Sequence, residues 1–215
     1  MIEFNAIQKI AIWALPVIFA ITGHEVAHGW VASKFGDQTA RLAGRLTLNP
    51  VKHIDLFGTI IVPMILLLFS NFIFGWAKPV PVDARNMSHP RYQMIVVSLA
   101  GPLANIVMAL LWAALAKFSM GINSWAGIPL VYMGQAGIMI NVVLAVLNCL
   151  PILPLDGGRA LSYFLPGRLG WNYSRLEPYG FLILLLLMFS GVLWYLLNPP
   201  ISWLVHTIYF GFGLY

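Results

Sequence analysis

The chain has 215 residues, of which 60% are hydrophobic and 9% charged, with a mean hydropathy of +0.83 and a formal net charge of +5. Such a balance excludes a water-soluble globular domain and marks an all-α, polytopic membrane protein, with room for about five or six spans of ~20 residues and no separate soluble domain. The positive excess reads as the loop bias of membrane proteins and not as a nucleic-acid footprint, and the lone Cys149 rules out an intramolecular disulfide or a thiolate metal cluster.

The first apolar run, Ile10–Ser33, carries His24-Glu25-Val26-Ala27-His28. On a helix, positions i and i+4 share a face, so the two imidazoles can meet one metal ion. Glu25, beside the first ligand, can take a proton from a water at that ion. Two histidines and a carboxylate in hydrocarbon cost several kcal/mol unless they pair or bind something. The alternative is a pair of packing histidines hydrogen-bonded across a bundle.

A basic loop, Lys34–Asp55, follows and contains His53. This histidine is either half of a local pair with Asp55 or a group near the metal or substrate. The second run, Phe57–Phe74, is broken by Pro63 and by Ser70-Asn71 and leads into Gly75-Trp76-Ala77-Lys78-Pro79-Val80-Pro81-Val82. That stretch is too rich in Gly and Pro for a helix, and such backbone survives at membrane depth only inside protein or beside a water-filled cavity. It is a candidate edge for an extended substrate to pair with.

The third run, Tyr92–Phe118, holds Asn105 at its middle, and the loop Ser119–Leu130 after it is free of charge. The fourth run, Val131–Leu153, closes in Asn148-Cys149-Leu150-Pro151-Ile152-Leu153-Pro154-Leu155-Asp156-Gly157-Gly158-Arg159. The prolines interrupt the helix and the glycine pair permits a tight turn, leaving Asp156 near membrane depth as the candidate third metal ligand, with a carboxylate capping the turn before the glycines as the alternative. Asn105 and Asn148 are candidate neutral donors to a developing oxyanion, with interhelical hydrogen bonding as the alternative. The fifth run, Tyr179–Leu197, and the sixth, Ile201–Tyr215, are separated by Asn198-Pro199-Pro200, which reads as a tight turn. His89 reads as solvated and His206 as a packing residue.

Charge sets the topology. Ten of the twelve Lys and Arg fall between Lys34 and Arg91 or between Arg159 and Arg175, and these segments belong on the cytoplasmic side. A full crossing by the second run would put Lys78, Arg85 and Arg91 outside and set Asp156 on the face opposite His28. Phe57–Val82 is therefore expected to enter, turn near Ser70-Asn71 and leave by the side it came from, the alternative being an ordinary span with a weak charge signal. The fold expected is about five spans plus this re-entrant, partly non-helical segment.

Taken together, His24-Glu25-x-x-His28, Gly75-Trp76-Ala77-Lys78-Pro79-Val80, Ala100-Gly101-Pro102-Leu103-Ala104-Asn105 and Asn148-x-x-Pro151-x-x-x-x-Asp156-Gly157-Gly158 resemble, in order and character, the site-2 protease family of intramembrane zinc metalloproteases. The resemblance covers Ile10 to about Arg168 and is to the short members without PDZ or CBS domains. It implies one membrane-embedded metalloprotease domain over 1–215, with its core at about 8–168 and additional helices at 179–215. It further implies Zn2+ held by His24, His28 and Asp156, Glu25 as general base, and Asn105 and Asn148 near the scissile peptide. The implied partners are a transmembrane protein substrate and the lipid bilayer, with no nucleic acid; nothing in the chain marks an oligomer. The active site is expected toward the cytoplasmic side. A metal or proton transporter using the same His/Asp cluster is the competing class. It has no need of Glu25 as a base.

Overall fold

The computed structural model describes residues 5–61, 78–122 and 127–215. Helix α1 spans Ala6–Lys34. It starts where Asn5 and Gln8 exchange side-chain-to-backbone hydrogen bonds, a reciprocal cap that satisfies two of the free N–H groups of the first turn. It ends at Phe35, followed by Gly36 in left-handed backbone (φ +103°). The loop beyond holds the short helix α2, Thr39–Leu42, a 3-10 turn at Pro50–His53 and a wide π-type turn at Leu56–Ile61. After an extended stretch from Lys78 and a 3-10 turn at Ala84–Asn86 come α3, Pro90–Met120, and α4, Gly127–Asn148. The chain closes with α5, Asp156–Phe164, α6, Gly167–Ser174, α7, Glu177–Phe189, and α8, Val192–Phe212. No strand occurs among the described residues.

Among the described residues three helices, α1, α3 and α4, are long and apolar enough to cross a bilayer, and α7 with α8 forms a pair bent by 81°. This is fewer straight spans than the apolar runs suggest. At 13 residues, α7 reaches only about 20 Å, short of a ~30 Å hydrocarbon layer. The expected turn at Asn198-Pro199-Pro200 is not there: α8 runs through both prolines. The break falls instead at Ser190-Gly191, where Gly191 adopts φ +78°. A left-handed residue redirects the chain more sharply than two missing N–H donors do.

The core is built from small residues that bring α3 and α4 close. Ala109, Ala113 and Ala116 of α3, at helical spacing, meet Ile138 and Val142 of α4, and α8 covers them with Leu197, Ile201 and Ile208. A side chain at Gly134 or Gly137 would collide with Ala116 or Trp112 of α3. Close backbone approach of this kind is how helices associate where lipid removes the hydrophobic driving force. Outside, Trp13, Phe19, Leu103, Val107, Leu111 and Trp203 are exposed, an apolar surface suited to acyl chains.

Helices α1 and α4 run one way and α3 the other. Lys9, Ile12 and Trp13 at the start of α1 share a small cavity with Tyr132 and Gln135 at the start of α4, and Lys117 at the end of α3 donates to Gly213 O just past α8. At the opposite end the second half of α1 meets the beginning of α3 and the turn after α4. Lys78 N donates to His53 O at 2.9 Å, so the chain that leaves His53 returns beside it. This brings the two flanks of the segment expected to be re-entrant together at one end of the bundle. Its expected turning point at Ser70-Asn71 lies outside the described residues.

Candidate metal centre and catalytic cavity

His24 and His28 stand one turn apart on α1, both buried, with ring centroids 4.7 Å apart and planes at 83°. Each is oriented from behind. His28 Nδ1 donates to Val97 O of α3 at 2.7 Å. His24 Nδ1 lies 2.6 Å from Asn105 Oδ1. The direction of that second bond follows from the network. Asn105 Nδ2 donates to Ala20 O, which can only accept, and to Asn141 Oδ1, so the amide oxygen must face His24. Asn141 is fixed in turn, because its own Nδ2 donates to Gly137 O. Both imidazoles therefore carry their proton on Nδ1 and point an Nε2 lone pair inward.

Asp156 closes the group. The two Nε2 atoms lie 3.1 Å from each other, and Asp156 Oδ2 lies 3.1 Å from that of His24 and 3.3 Å from that of His28. Oδ2 is buried without a hydrogen-bond partner. Three electron pairs thus converge with no hydrogen between them. That is costly for a protein alone and fits a cation with two nitrogen ligands and one oxygen ligand, a donor set that suits zinc. These three residues form a cluster able to hold a metal among the described residues.

Two backbone features bring the ligands together. A Cβ on Gly101 would lie 2.6 Å from His24 Cε1 and 2.7 Å from His24 Nε2, and closer still to His28 Nε2, so only glycine lets α3 pass there. Gly157 and Gly158 act differently from the expected tight turn. They lie in the first turn of α5, and their missing side chains let it press on the Cys149–Leu153 backbone. Asp156 is the first residue of that helix and not part of an irregular segment, which places its carboxylate at the positive end of the helix dipole.

Glu25 lies beside a cavity of about 550 Å³ that it lines with His28, Val80, Ser98, Asp156 and Arg159. Its Oε2 accepts from Val80 N at 2.8 Å. Pro79 and Pro81 have no N–H, so over 79–81 Val80 carries the one backbone donor, and it is committed to Glu25. This limits the expected strand pairing: residues 79–81 can accept hydrogen bonds from an extended peptide and cannot return them. Residues 75–77 of that candidate edge lie outside the described residues.

The remaining candidates divide between Asn105, behind the ligand His24, and Asn148 and His53, outside the cavity lining. Both amide hydrogens of Asn105 are taken, so it orients His24 and has none for an oxyanion. Asn148 donates to Leu144 O one turn back on α4 and is not among the residues lining the cavity. His53 is buried with Nε2 2.9 Å from Thr47 O, also away from the lining. Sequence reasoning missed Asn141 and Val80. A polar Asn in the middle of the apolar run of α4 was the available signal for the first; the alternating prolines were the signal for the second.

Comparison with known proteins adds a family. The model of peptidase family M50 matches residues 12–137. The Bacillus subtilis protein "Putative zinc metalloprotease YwhC" is 39% identical over 200 residues, 86% of this chain and 84% of its own length. "Putative zinc metalloprotease Rip2" of Mycolicibacterium smegmatis is 31% identical over 173 residues, 79% of this chain and 63% of its own. "Zinc metalloprotease MJ0392" of Methanocaldococcus jannaschii is 23% identical over 178 residues, 81% and 41%. No solved structure matches the chain.

Proposed function

The chain belongs to peptidase family M50, the zinc metalloproteases of the site-2 type, and from that membership we propose that it hydrolyses peptide bonds within or near transmembrane segments of other membrane proteins. The observation that carries the reading is the convergence of His24 Nε2, His28 Nε2 and Asp156 Oδ2, three lone pairs with no hydrogen between them. His24, His28 and Asp156 are the ligands, and a zinc ion held there supplies Lewis acidity that acidifies water and polarises a carbonyl.

Glu25 is the general base. It takes the proton from the attacking water and passes it to the departing amine. The Val80 N–H holds its carboxylate in one orientation, with Oε1 left for that proton. Helix α3 walls the cavity with Met94, Val97 and Ser98, and the cavity extends to the polar side chains of Arg159, Ser174 and Glu177, a route for water. A helical substrate hides its peptide bonds in its own ladder, so the scissile segment has to be unwound before Glu25 can serve it.

The ten cationic residues of segments 34–91 and 159–175, which flank the helix turns that carry His28 and Asp156, support a site on the cytoplasmic side of a multi-pass protein. The chain then acts as one membrane-embedded protease domain, with its core at about 8–168 and the helices from 179 onward packed on it. The test is a reconstituted assay with a single-span model substrate. Wild type cleaves and chelation stops it, whereas Glu25→Gln keeps zinc and does not cleave. Zinc or proton flux through wild-type vesicles without any cleavage would favour the transporter class instead.

A further inference from the structure

Five serines on the helices or at their ends return their hydroxyl to the turn behind them. Ser33 donates to Trp30 O, Ser119 to Leu115 O, Ser162 to Arg159 O, Ser174 to Trp171 O and Ser190 to Leu187 O. That is the ordinary fate of a helical hydroxyl that finds nothing better. Ser98 on α3 departs from it. It is 3% exposed and lines the catalytic cavity with Glu25, His28 and Asp156, yet among the described residues its hydroxyl makes no hydrogen bond.

Its place relative to the metal ligands follows from the helix. Val97, its neighbour, accepts from His28, and Gly101, three residues on, passes within contact distance of both Nε2 atoms. Side chains three apart on a helix start about 5–6 Å from each other. The Ser98 side chain therefore stands about one turn from the ligand atoms, in the cavity wall that α3 also forms with Met94 and Val97. A hydroxyl there shares the cavity that Glu25, His28 and Asp156 line.

Other donors near the cavity are engaged or distant. Asn105 has no free amide hydrogen, Asn148 does not line the cavity, and Ser162 and Ser174 donate to their own helices. Arg159 Nη2 faces Glu177 Oε1 at 3.7 Å. Tyr163 is seven residues beyond Asp156, about 10 Å along α5.

Resting on the zinc-protease reading, we propose that Ser98 is a catalytic residue whose hydroxyl donates a hydrogen bond to the oxygen of the scissile carbonyl as negative charge builds there. The proton stays on Ser98, and no covalent bond to it forms. The site thereby has a neutral donor beside its cation, held in place before the substrate arrives. A bond that strengthens as charge develops acts on kcat more than on KM.

The experiment compares wild type, Ser98→Ala, Ser98→Thr and Asn148→Ala, purified and reconstituted. It measures zinc content, kcat and KM on a model transmembrane substrate, and the affinity for a phosphinic peptide shaped like the tetrahedral state. Ser98→Ala should keep its zinc and a KM within a few-fold of wild type, lose roughly a hundredfold in kcat, and bind the phosphinic peptide roughly a hundredfold more weakly. Ser98→Thr should restore most of both, and Asn148→Ala should hold the peptide as wild type does. Unchanged phosphinic-peptide affinity in zinc-loaded Ser98→Ala overturns the proposal, as does a loss that falls on Asn148→Ala instead. Failure of the underlying reading is distinct: wild type itself would carry no zinc and cleave nothing, which removes both.

Discussion

The side-chain oxygen of Asn105 on α3 accepts from His24 Nδ1 on α1 at 2.6 Å, and Asn141 on α4 holds Asn105 in the one orientation that permits it. A metal ligand on the first long helix is thus fixed by polar groups from the next two. All of this lies at zero exposure for both asparagines. Replacing Asn105 with Leu removes the acceptor and frees the His24 ring and its tautomer. Zinc affinity should fall by about 10–100-fold, read by competition with a chelator of known affinity. Wild-type affinity in Asn105→Leu would mean that His24 needs no such support.

Val80 gives a second prediction. Val80→Pro deletes the N–H that binds Glu25, whereas Val80→Ala keeps it. A hydrogen bond to a charged group contributes about 1.5–3 kcal/mol, so Val80→Pro should lower kcat/KM by roughly 10–100-fold with zinc retained. Val80→Ala should stay within a few-fold of wild type. Equal losses in the two variants would assign the effect to the side chain or to local packing.

Asp37 predicts how stability responds to acid. It is fully buried, and its carboxylate accepts from Thr39 N and Oγ1, Asn86 Nδ2 and Asp83 N, clipping the loop after α1 to the segment before α3. Burial pushes this carboxyl up, but the hydrogen bonds from Thr39, Asn86 and Asp83 outweigh it and hold the group below its ordinary range. A carboxylate lowered by folding stabilises fully above its unfolded value of about 3.9, and the contribution is lost as pH falls through the lower folded value. The Tm of wild type in detergent should drop as pH is taken from 5 toward 3. Asp37→Asn should be less stable at pH 5 and show a flatter profile over that range. Parallel profiles would place the acid response elsewhere.

Topology is testable by labelling. In a Cys149→Ala background, cysteines at Arg45 and Arg85 should react from the same, cytoplasmic side of sealed vesicles, because Lys78 N meets His53 O and so brings the chain on either side of residues 54–77 together. Labelling from opposite sides would require a full crossing between them.

The parts legible in the sequence are those set by local periodicity and by charge. The i, i+4 spacing of His24 and His28 needs only a helix, and the need for α1 and α4 to run in one direction follows from where Asp156 ends its run. Features that depend on how helices meet were not legible. Asn141 is one polar residue in an apolar run until α3 brings Asn105 to it. Gly157 and Gly158 look like turn residues until α5 is seen to press on the Cys149–Leu153 backbone. Pro199-Pro200 looks like a break, but α8 continues through both prolines on an exposed face, and Gly191 takes the bend.

The central claim is that His24, His28 and Asp156 are the complete protein ligand set for one zinc ion, and metal analysis of purified variants tests it most directly. Wild type and Glu25→Gln should each hold one zinc per chain, while His24→Ala, His28→Ala and Asp156→Ala should each lose it at the same free zinc concentration, with helical content unchanged by circular dichroism. A folded Asp156→Ala protein that still holds one zinc as tightly as wild type would contradict the account.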